Sequence, residues 1–322
     1  MKLRFAALLA LAVPFGAQAE TLNLYTSQPN ADAQQTVDAF MAANPGIEVE
    51  WVRDGTTKLM ARLTAEIEAG APQPDVLLIA DSVTMEGLAQ DGHLQAYKSP
   101  EAGAYDASLY SGEGYYYSTK LITTGIVYNT GADKTPTSWA DLTADGMDGM
   151  VAMPSPLYSG AALIHLAALT SNPDLGWSYY ETLAAQKARA EGGNGGTFKA
   201  VASGEKPYGM VVDFLAIRNM AKGSPVGFVF PTEGVSYVTE PVAIMSTAKN
   251  VPAAQKFVDF VLSEAGQKLV VDMGYIPARD GLGMPEGFPA REEIKLMAFD
   301  PAAALANAEA NKTRFAETFG VK

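Results

Sequence analysis

The chain has 322 residues, with 36 acidic and 23 basic side chains, a formal net charge of −13 and no cysteine. The lack of cysteine excludes disulfides, thiol catalysis and thiolate metal sites. The acidic balance argues against nucleic acid or an anionic membrane as a partner, because both need basic patches. A hydrophobic content of 48% with 18% charged residues indicates a globular chain, long enough for two domains.

The N-terminal segment has the pattern of a secretory leader. Lys2 and Arg4 form a positive start, Phe5–Val13 is an apolar run, and Ala17–Ala19 (AQA) is a small-x-small cleavage signal. The apolar run is too short to cross about 30 Å of hydrocarbon. We therefore expect residues 1–19 to be a signal peptide, cleaved after Ala19, on a protein exported to the periplasm.

Strands and helices alternate along the first third of the chain. Leu22–Tyr25, Ile47–Trp51 and Asp75–Ala80 are predicted strands, and apolar positions at helical spacing follow each of them. This alternation predicts an open, mostly parallel sheet of the α/β class. Such sheets bind ligands at the carboxyl ends of their strands, beside helix N-termini. The candidate residues at these positions are Tyr25, Ser27, Thr56, Thr57, Asp81 and Ser82.

A second α/β region is predicted from about Pro136, after a long strand at Lys120–Asn129. It includes a loop at Gly192–Gly196, where four glycines surround Asn194. The other elements predicted beyond residue 136 are strands at Met150–Pro154, Tyr208–Val212 and Glu240–Ser246, and helices at Ser159–Leu169, Pro252–Ser263, Glu264–Met273 and near Ala302–Asn311.

Several segments, taken in order, resemble one family: NPGIEVEWV, PDVLLIADS, LITTGIVYN, PSPLYSGAA and FPTEGVSYVTEPVAI. The chain is similar to periplasmic solute-binding proteins of ATP-driven (ABC) importers, in the branch that holds ferric-ion and phosphonate binders. The resemblance implies a two-lobed, type II-like binding-protein fold of mixed, mostly parallel sheets. It places two extended crossovers at LITTGIVYN and TEPVAIMS and implies hinge closure on the ligand.

The resemblance also implies a division of the chain. Residues 20–120, completed by about 244–285, are expected to form lobe 1, and residues 121–243, completed by about 286–322, lobe 2. The implied partners are a small-molecule ligand and an inner-membrane ABC permease. A monomer that is not an enzyme, without cofactor or resident metal, is expected.

An anion subsite is predicted at the start of the helix after PSPLY. In the iron-binding relatives a Ser-Gly-Ala triplet at this place holds the synergistic anion, and Ser159, Gly160 and Ala161 match it. Asn194 lines up with a family asparagine that reaches the same anion. Thr56 lies at a comparable helix start of the other lobe. The alternatives are that the hydroxyls are ordinary N-caps and that Asn194 lies in a plain turn.

The cation subsite is less sharply indicated. Asp213 replaces a family asparagine at a strand end, and Glu233 and Asp81 are the other candidate acids. Tyr237 and Tyr25 offer hydroxyls or a cation–π face. For each acid, a protein Arg or Lys partner, or solvation, is the alternative to a ligand ammonium.

Ferric relatives carry an adjacent tyrosine pair after the strand that ends here at Val212, whereas this chain has Asp213-Phe214. His93 and His165 lack partners at metal-ligand spacing. An anion cradle with acids nearby therefore predicts a small zwitterionic phosphonate, and the chain most resembles binders of 2-aminoethylphosphonate. Ferric iron with an anion, a polyamine and a phosphorylated organic acid stay open as alternatives.

A secreted serine hydrolase is the remaining enzyme alternative. Ser246–Lys249 satisfies the S-x-x-K pattern of penicillin-recognising enzymes. The companion S-D-N and K-T-G motifs are missing, and so is a G-x-S-x-G elbow. Two scattered histidines leave little material for a catalytic triad, so the enzyme interpretation is disfavoured.

Overall fold

The computed structural model describes residues 20–321, so the predicted leader and its cleavage site lie outside the described residues. Within them the chain builds two sheets, of six and seven strands, each flanked by helices. No helix of residues 20–321 is long and apolar enough to cross a membrane.

The thirteen strands are short, apart from the ten-residue strand β6. In chain order they are β1 (Glu20–Thr26), β2 (Ile47–Arg53), β3 (Val76–Leu78), β4 (Leu94–Gln95), β5 (Tyr116–Ser118), β6 (Lys120–Asn129), β7 (Val151–Met153), β8 (Arg189–Ala190), β9 (Tyr208–Val212), β10 (Val226–Val229), β11 (Ser236–Val238), β12 (Pro241–Met245) and β13 (Ile276–Pro277).

The α-helices alternate with these strands. They are α1 (Asn30–Ala43), α2 (Thr56–Glu68), α3 (Ser82–Gln90), α4 (Gly160–Ser171), α5 (Gly176–Ala185), α6 (Asn194–Ala202), α7 (Asp213–Ala221), α8 (Val251–Leu262), α9 (Glu264–Asp272) and α10 (Pro301–Phe319). Short 3-10 helices lie at Pro100–Ala104, Ala107–Leu109, Trp139–Thr143 and Arg291–Glu293.

The first sheet has the order β2-β1-β3-β12-β4, with β5 paired to β12. β1 runs parallel to β2 and β3, whereas β12 runs antiparallel to β3, β4 and β5. Helices α1, α2, α3 and α8 pack on it. We call this sheet and these helices the first lobe.

The second sheet has the order β10-β6-β9-β7-β8, with β11 and β13 also paired to β6. β7 is parallel to β8 and β9, while β6 is antiparallel to every strand it pairs with. Helices α4 to α7 pack around it and form the second lobe. The predicted two-lobed α/β fold with mixed sheets is confirmed. The prediction that the sheets are mostly parallel is wrong, because β6 and β12 run antiparallel to every strand that they pair with.

Two crossings between the lobes lie side by side, and the chain reaches the second sheet once more at β13. The first crossing comes directly before β6, which belongs wholly to the second sheet, and the second comes directly before β12, which belongs wholly to the first. Each crossing therefore lies at the start of a predicted crossover segment. The two crossings are bonded to each other, since the backbone N–H of Thr119 donates to the Thr239 carbonyl (3.1 Å) and the Thr119 hydroxyl to the Glu240 carbonyl (2.7 Å). The lobe boundaries expected from the sequence stay a prediction. One strand differs from it, because β13 was expected in lobe 1 but pairs with β6 of the second sheet.

Two elements differ from the sequence prediction. The glycine-rich segment was predicted to be a loop, but α6 begins at Asn194 and so takes three of its residues into a first turn. Thr197, Ala200 and Val201 of α6 are buried on the second lobe, and this packing overrides the poor helix propensity of glycine. α10 is longer than expected because Phe315 is buried against Tyr180, which anchors the last turns.

Separate cores stabilise the two lobes. Leu22, Phe40 and Phe257 belong to a fully buried cluster of the first lobe, while Trp139 and Leu183 belong to one in the second. Each such side chain contributes roughly 1.5–3 kcal/mol by leaving water. Each lobe therefore has an apolar core of its own, and a further buried cluster, which includes Val83 of α3 and Ile164 of α4, joins the two lobes.

An ion pair joins the lobes beside the crossings. Arg218 of α7 donates to both carboxylate oxygens of Asp32 of α1, at 3.2 and 3.0 Å, and the Tyr275 hydroxyl donates to the same carboxylate. The Asp32 side chain is only 5% exposed. Removing one partner of a buried pair leaves an uncompensated charge, so this contact favours the arrangement of lobes seen here.

We expect Arg218→Met to lower the free energy of unfolding by about 3 kcal/mol, since it leaves the Asp32 carboxylate buried without its cation. Urea denaturation followed by circular dichroism measures the loss. Arg189→Met is the matched control, because the acids that Arg189 contacts, Glu191 and Glu205, are more than half exposed. That change is expected to cost at most about 1 kcal/mol, and equal losses for the two variants would contradict a role for the interlobe pair.

Candidate functional site

A cavity of about 450 Å³ lies in the cleft between the lobes. Both lobes contribute to its wall, and the crossings close one side of it through Val238 and Glu240. Its lining residues are Ser27, Pro29, Arg53, Gly55, Thr56, Ala80, Ile122, Tyr158, Ser159, Gly160, Ala161, Gly193, Asn194, Gly195, Gly196, Val212, Phe214, Leu215, Val238, Glu240 and Tyr275.

Five helices begin at this cavity. The residues at or before their first turns line it: Pro29 for α1, Gly55 for α2, Ser159 for α4, Gly193 for α6 and Val212 for α7. The first-turn N–H groups of a helix lack intrahelical acceptors, and the helix dipole puts partial positive charge there. Four of these five N-caps make no side-chain capping bond. At α7 the Asp213 carboxylate accepts from the N–H of Phe214, so available first-turn donors remain chiefly at α1, α2 and α6. The cavity is therefore built to hold negative charge, although the chain as a whole is acidic.

Ser159 and Asn194 are linked within this wall. The Ser159 hydroxyl accepts from the backbone N–H of Ala162 (3.3 Å), and the Asn194 side-chain amide donates to the same hydroxyl (3.2 Å). The Asn194 carbonyl oxygen accepts from the N–H of Val212 (3.1 Å), which fixes the amide orientation. These bonds tie the starts of α4, α6 and α7 together. They preorganise the polar side of the second lobe.

The two lobes meet closely at the start of α4. A β-carbon placed on Gly160 would lie 2.9 Å from Asp81 Oδ2 and 3.0 Å from Thr56 Oγ1, both in the first lobe. Gly55 of the first lobe lies equally close to the ring of Tyr158 in the second, where a β-carbon would be 3.1 Å from Cζ. The cleft is therefore closed at this edge, and glycine is needed there for steric reasons.

Six of the residues predicted from the sequence line the cavity, namely Ser27, Thr56, Ser159, Gly160, Ala161 and Asn194. The other seven do not. Tyr25 is buried and donates to Glu66 Oε1 (2.6 Å); burial and that carboxylate raise the pKa of Tyr25 to about 12. Thr57 and Ser82 occupy the first turns of α2 and α3, half-buried and beyond the lining.

The predicted acids are held by protein donors. Asp81 caps α3 through the N–H of Thr84 (2.5 Å), and its burial raises its pKa. Glu233 accepts from the Ser138 hydroxyl (2.5 Å) and caps a 3-10 helix. Tyr237 borders a different pocket, with Arg279 and Arg291 among its lining residues. Asp81, Glu233 and Tyr237 therefore do not line the cavity.

Asp213 is fully buried in the second lobe. Its Oδ2 accepts from the N–H (2.9 Å) and hydroxyl (2.7 Å) of Thr123, and its Oδ1 accepts from the N–H of Phe214 (2.6 Å). Both carboxylate oxygens are thus used inside the protein. Burial nevertheless outweighs these bonds and raises the pKa of Asp213 to about 6.

Four polar residues of the lining went unpredicted: Arg53, Tyr158, Glu240 and Tyr275. Arg53 is the last residue of β2, close to the kind of strand-end position used to find Ser27, and its Nε donates to the Gln28 carbonyl (2.8 Å). Tyr158 directly precedes the Ser-Gly-Ala triplet. Glu240 is an acid within an apolar run, which is itself a signal of a buried charge. Tyr275 is distant in sequence, and only the tertiary fold brings it here.

The histidines and tyrosine clusters have structural roles. His165 is buried, its Nδ1 lies 2.8 Å from the Ser236 hydroxyl, and burial lowers its pKa to about 3. Tyr116 donates to Glu86, and Tyr179 and Tyr180 pack in the second core. In the described part of the chain, residues 20–321, no group of three His, Asp or Glu side chains is arranged to hold a metal ion.

Two α/β lobes, two adjacent crossings and a donor-lined cleft between the lobes define the fold of the two-lobed periplasmic binding proteins. Residues 22–276 match the model of the family described as bacterial extracellular solute-binding protein, and the chain belongs to this family. An uncharacterized protein of Haemophilus influenzae is 28% identical over 284 residues, which cover 82% of this chain and 79% of that protein.

Two solved structures share the fold. The periplasmic binding protein AfuA of Actinobacillus pleuropneumoniae, with fructose 6-phosphate bound, has a TM-score of 0.84 at 21% identity, covering 94% of this chain and 99% of its own. Iron-bound HitA of Pseudomonas aeruginosa has a TM-score of 0.80 at 23% identity, covering 92% of this chain and 99% of its own.

Gly160→Ala is expected to raise the dissociation constant of 2-aminoethylphosphonate, the ligand predicted from the sequence, by tenfold or more (about 1.4 kcal/mol). The added methyl group collides with Asp81 and Thr56 and opposes closure. Isothermal titration calorimetry measures the affinity. Gly103→Ala is the control, because Gly103 does not line the cavity and a β-carbon there meets nothing within 4 Å; similar losses in both variants would contradict the steric argument.

Asp213→Asn is expected to flatten the pH dependence of stability between about pH 4 and 6. Since the pKa of Asp213 is 3.8 in a model compound and about 6 in the folded protein, the folded state binds the extra proton in this window. The bound proton adds roughly 3 kcal/mol to the free energy of unfolding at low pH, and this contribution is lost as the pH rises through 6. Urea titrations at a series of pH values compare the two slopes, and an unchanged slope would contradict the assignment.

Proposed function

We propose that this protein is the solute-binding component of an ABC importer and that it captures a small solute carrying a phosphonate or phosphate group. The observation that carries the proposal is the convergence of five helix N-termini, four without side-chain caps, on one interlobe cavity. Arg53 adds a guanidinium, which suits an oxyanion with several acceptor oxygens. The inner-membrane permease is the partner that such a component serves.

The energetics permit tight capture. Charge-assisted hydrogen bonds contribute roughly 1.5–3 kcal/mol each, so about six of them contribute roughly 9–18 kcal/mol. Association costs roughly 4–15 kcal/mol. The surplus of about 8 kcal/mol that a micromolar complex requires is reached when strong bonds meet a low association cost. First-turn N–H groups, Thr56 and Arg53 are the donors that the lining offers.

Within this class we propose 2-aminoethylphosphonate as the ligand, as the sequence predicts. The oxyanion donors described above support its phosphonate end. Its ammonium needs an acceptor, and the contact with Asp213 stays a prediction, one that requires the carboxylate to leave its bonds to Thr123 and Phe214.

A hexose phosphate is the second candidate, and the cavity volume favours it. About 450 Å³ falls within the ~300–1,000 Å³ range of pockets for drug-sized ligands and exceeds the needs of a two-carbon aminophosphonate. The structural similarity to AfuA with fructose 6-phosphate bound agrees with this candidate. Ferric iron and polyamines are less favoured, because the lining offers one carboxylate, Glu240, already paired with Lys120.

Calorimetry on the mature chain, refolded to remove carried-over solute, tests the proposal. We expect micromolar or tighter binding of 2-aminoethylphosphonate or fructose 6-phosphate. Small-angle scattering is expected to show that the ligand-free protein is more extended and compacts on binding. Spermidine and ferric citrate are the comparison ligands. If either binds while no phosphonate or phosphate ester does, the proposal is wrong.

A further inference from the structure

Glu240 occupies an unusual position in the molecule. It lies in the second crossing, between β11 and β12, and is only 2% exposed, yet it lines the cavity. Its backbone φ is +39°, in the left-handed region that residues with a β-carbon rarely adopt. Strained backbone of this kind is retained where the surrounding structure requires the side chain in one place.

The two oxygens of the Glu240 carboxylate have different surroundings. Oε2 lies 2.5 Å from the Lys120 ammonium and accepts from the Gln28 side-chain amide at 3.3 Å. Oε1 accepts no hydrogen bond from any residue between 20 and 321. Lys120 is itself 1% exposed, begins β6 at the first crossing and lies 4.2 Å from the centre of the Tyr275 ring. The ion pair thus fastens the two crossings together and leaves one carboxylate oxygen free.

The charges of the lining indicate what this oxygen does. Arg53 and Glu240 are the charged side chains among the lining residues, and the helix N-termini add further donors. Glu240 is therefore the strong acceptor in a cavity of donors. A ligand that covers this oxygen takes it away from water, and an acceptor left without a partner in this way is unfavourable. A ligand that brings an N–H or O–H group to Oε1 therefore gains affinity and selectivity.

We propose that Glu240 is a specificity-determining residue, whose free Oε1 accepts a hydrogen bond from an amine or hydroxyl that the ligand carries in addition to its oxyanion. The inference rests on the proposed function, and it names Glu240 where the sequence names Asp213 as the acid facing the ligand. Asp213 does not line the cavity, and both of its oxygens are bonded to protein donors. Lys120 and the crossings hold Glu240 in position.

Three ligands that share one phosphonate group separate the contribution of the phosphonate to affinity from that of the group at the other end of the ligand. They are 2-aminoethylphosphonate, 2-hydroxyethylphosphonate and ethylphosphonate, which end in an amine, a hydroxyl and a methyl group. In calorimetry with Glu240→Gln we expect affinity for the amine to fall by at least about tenfold, for the hydroxyl by a smaller factor, and for ethylphosphonate by less than about threefold. Asp213→Asn tests the rival assignment. If Glu240 faces the ligand, Asp213→Asn changes the affinity for all three ligands by the same factor, and a graded loss in Asp213→Asn instead would overturn the role of Glu240.

Glu240→Gln leaves Lys120 buried without its partner, so the chain can fail to fold. The double variant Lys120→Met, Glu240→Gln removes both charges, and the same graded losses are expected from it. Equal losses for the three phosphonates would overturn the role of Glu240 while leaving the proposed function standing. If the wild-type protein binds none of the three and no phosphate ester either, the proposed function and this inference fail together.

Discussion

The two interlobe crossings constrain everything else in this structure. Thr119 and Lys120 on one crossing are bonded to Thr239 and Glu240 on the other, by backbone hydrogen bonds and by the ion pair. Beyond this junction β6 becomes the central strand of the second sheet and β12 a central strand of the first. The cleft, its depth and the relative direction of the helices around it all follow from where the chain crosses.

The same arrangement explains how an acidic protein can hold an anion. A net charge of −13 gives a repulsive field at long range, and salt screens that field beyond about 8 Å. At the cleft, the partial charges of five helix N-termini and the Arg53 guanidinium lie at the cavity wall itself. The proposed preference for an anion therefore depends on these local donors and not on net charge.

Contacts away from the cavity join the lobes as well as those at its wall. The Arg218–Asp32 pair connects α7 to α1, and α10 packs on α3 of the first lobe and on α4 and α5 of the second. Tyr275 connects the two regions, because it lines the cavity while its hydroxyl donates to Asp32. The cavity wall and the interlobe ion pair therefore share a residue.

The sequence alone determined the fold class, the order of most strands and helices, and much of the anion-binding wall. Ser27, Thr56 and the Ser159–Ala161 triplet were predictable because strand ends and helix starts are local features of the chain. Glu240 and Tyr275 were not, and Asp213 was expected to face the ligand. A buried polar group can face the cavity or turn to a protein donor. The choice depends on partners more than fifty residues away in the sequence, such as Thr123 for Asp213 and Lys120 for Glu240. Only the tertiary structure brings those partners together, so only it decided which acid remained free.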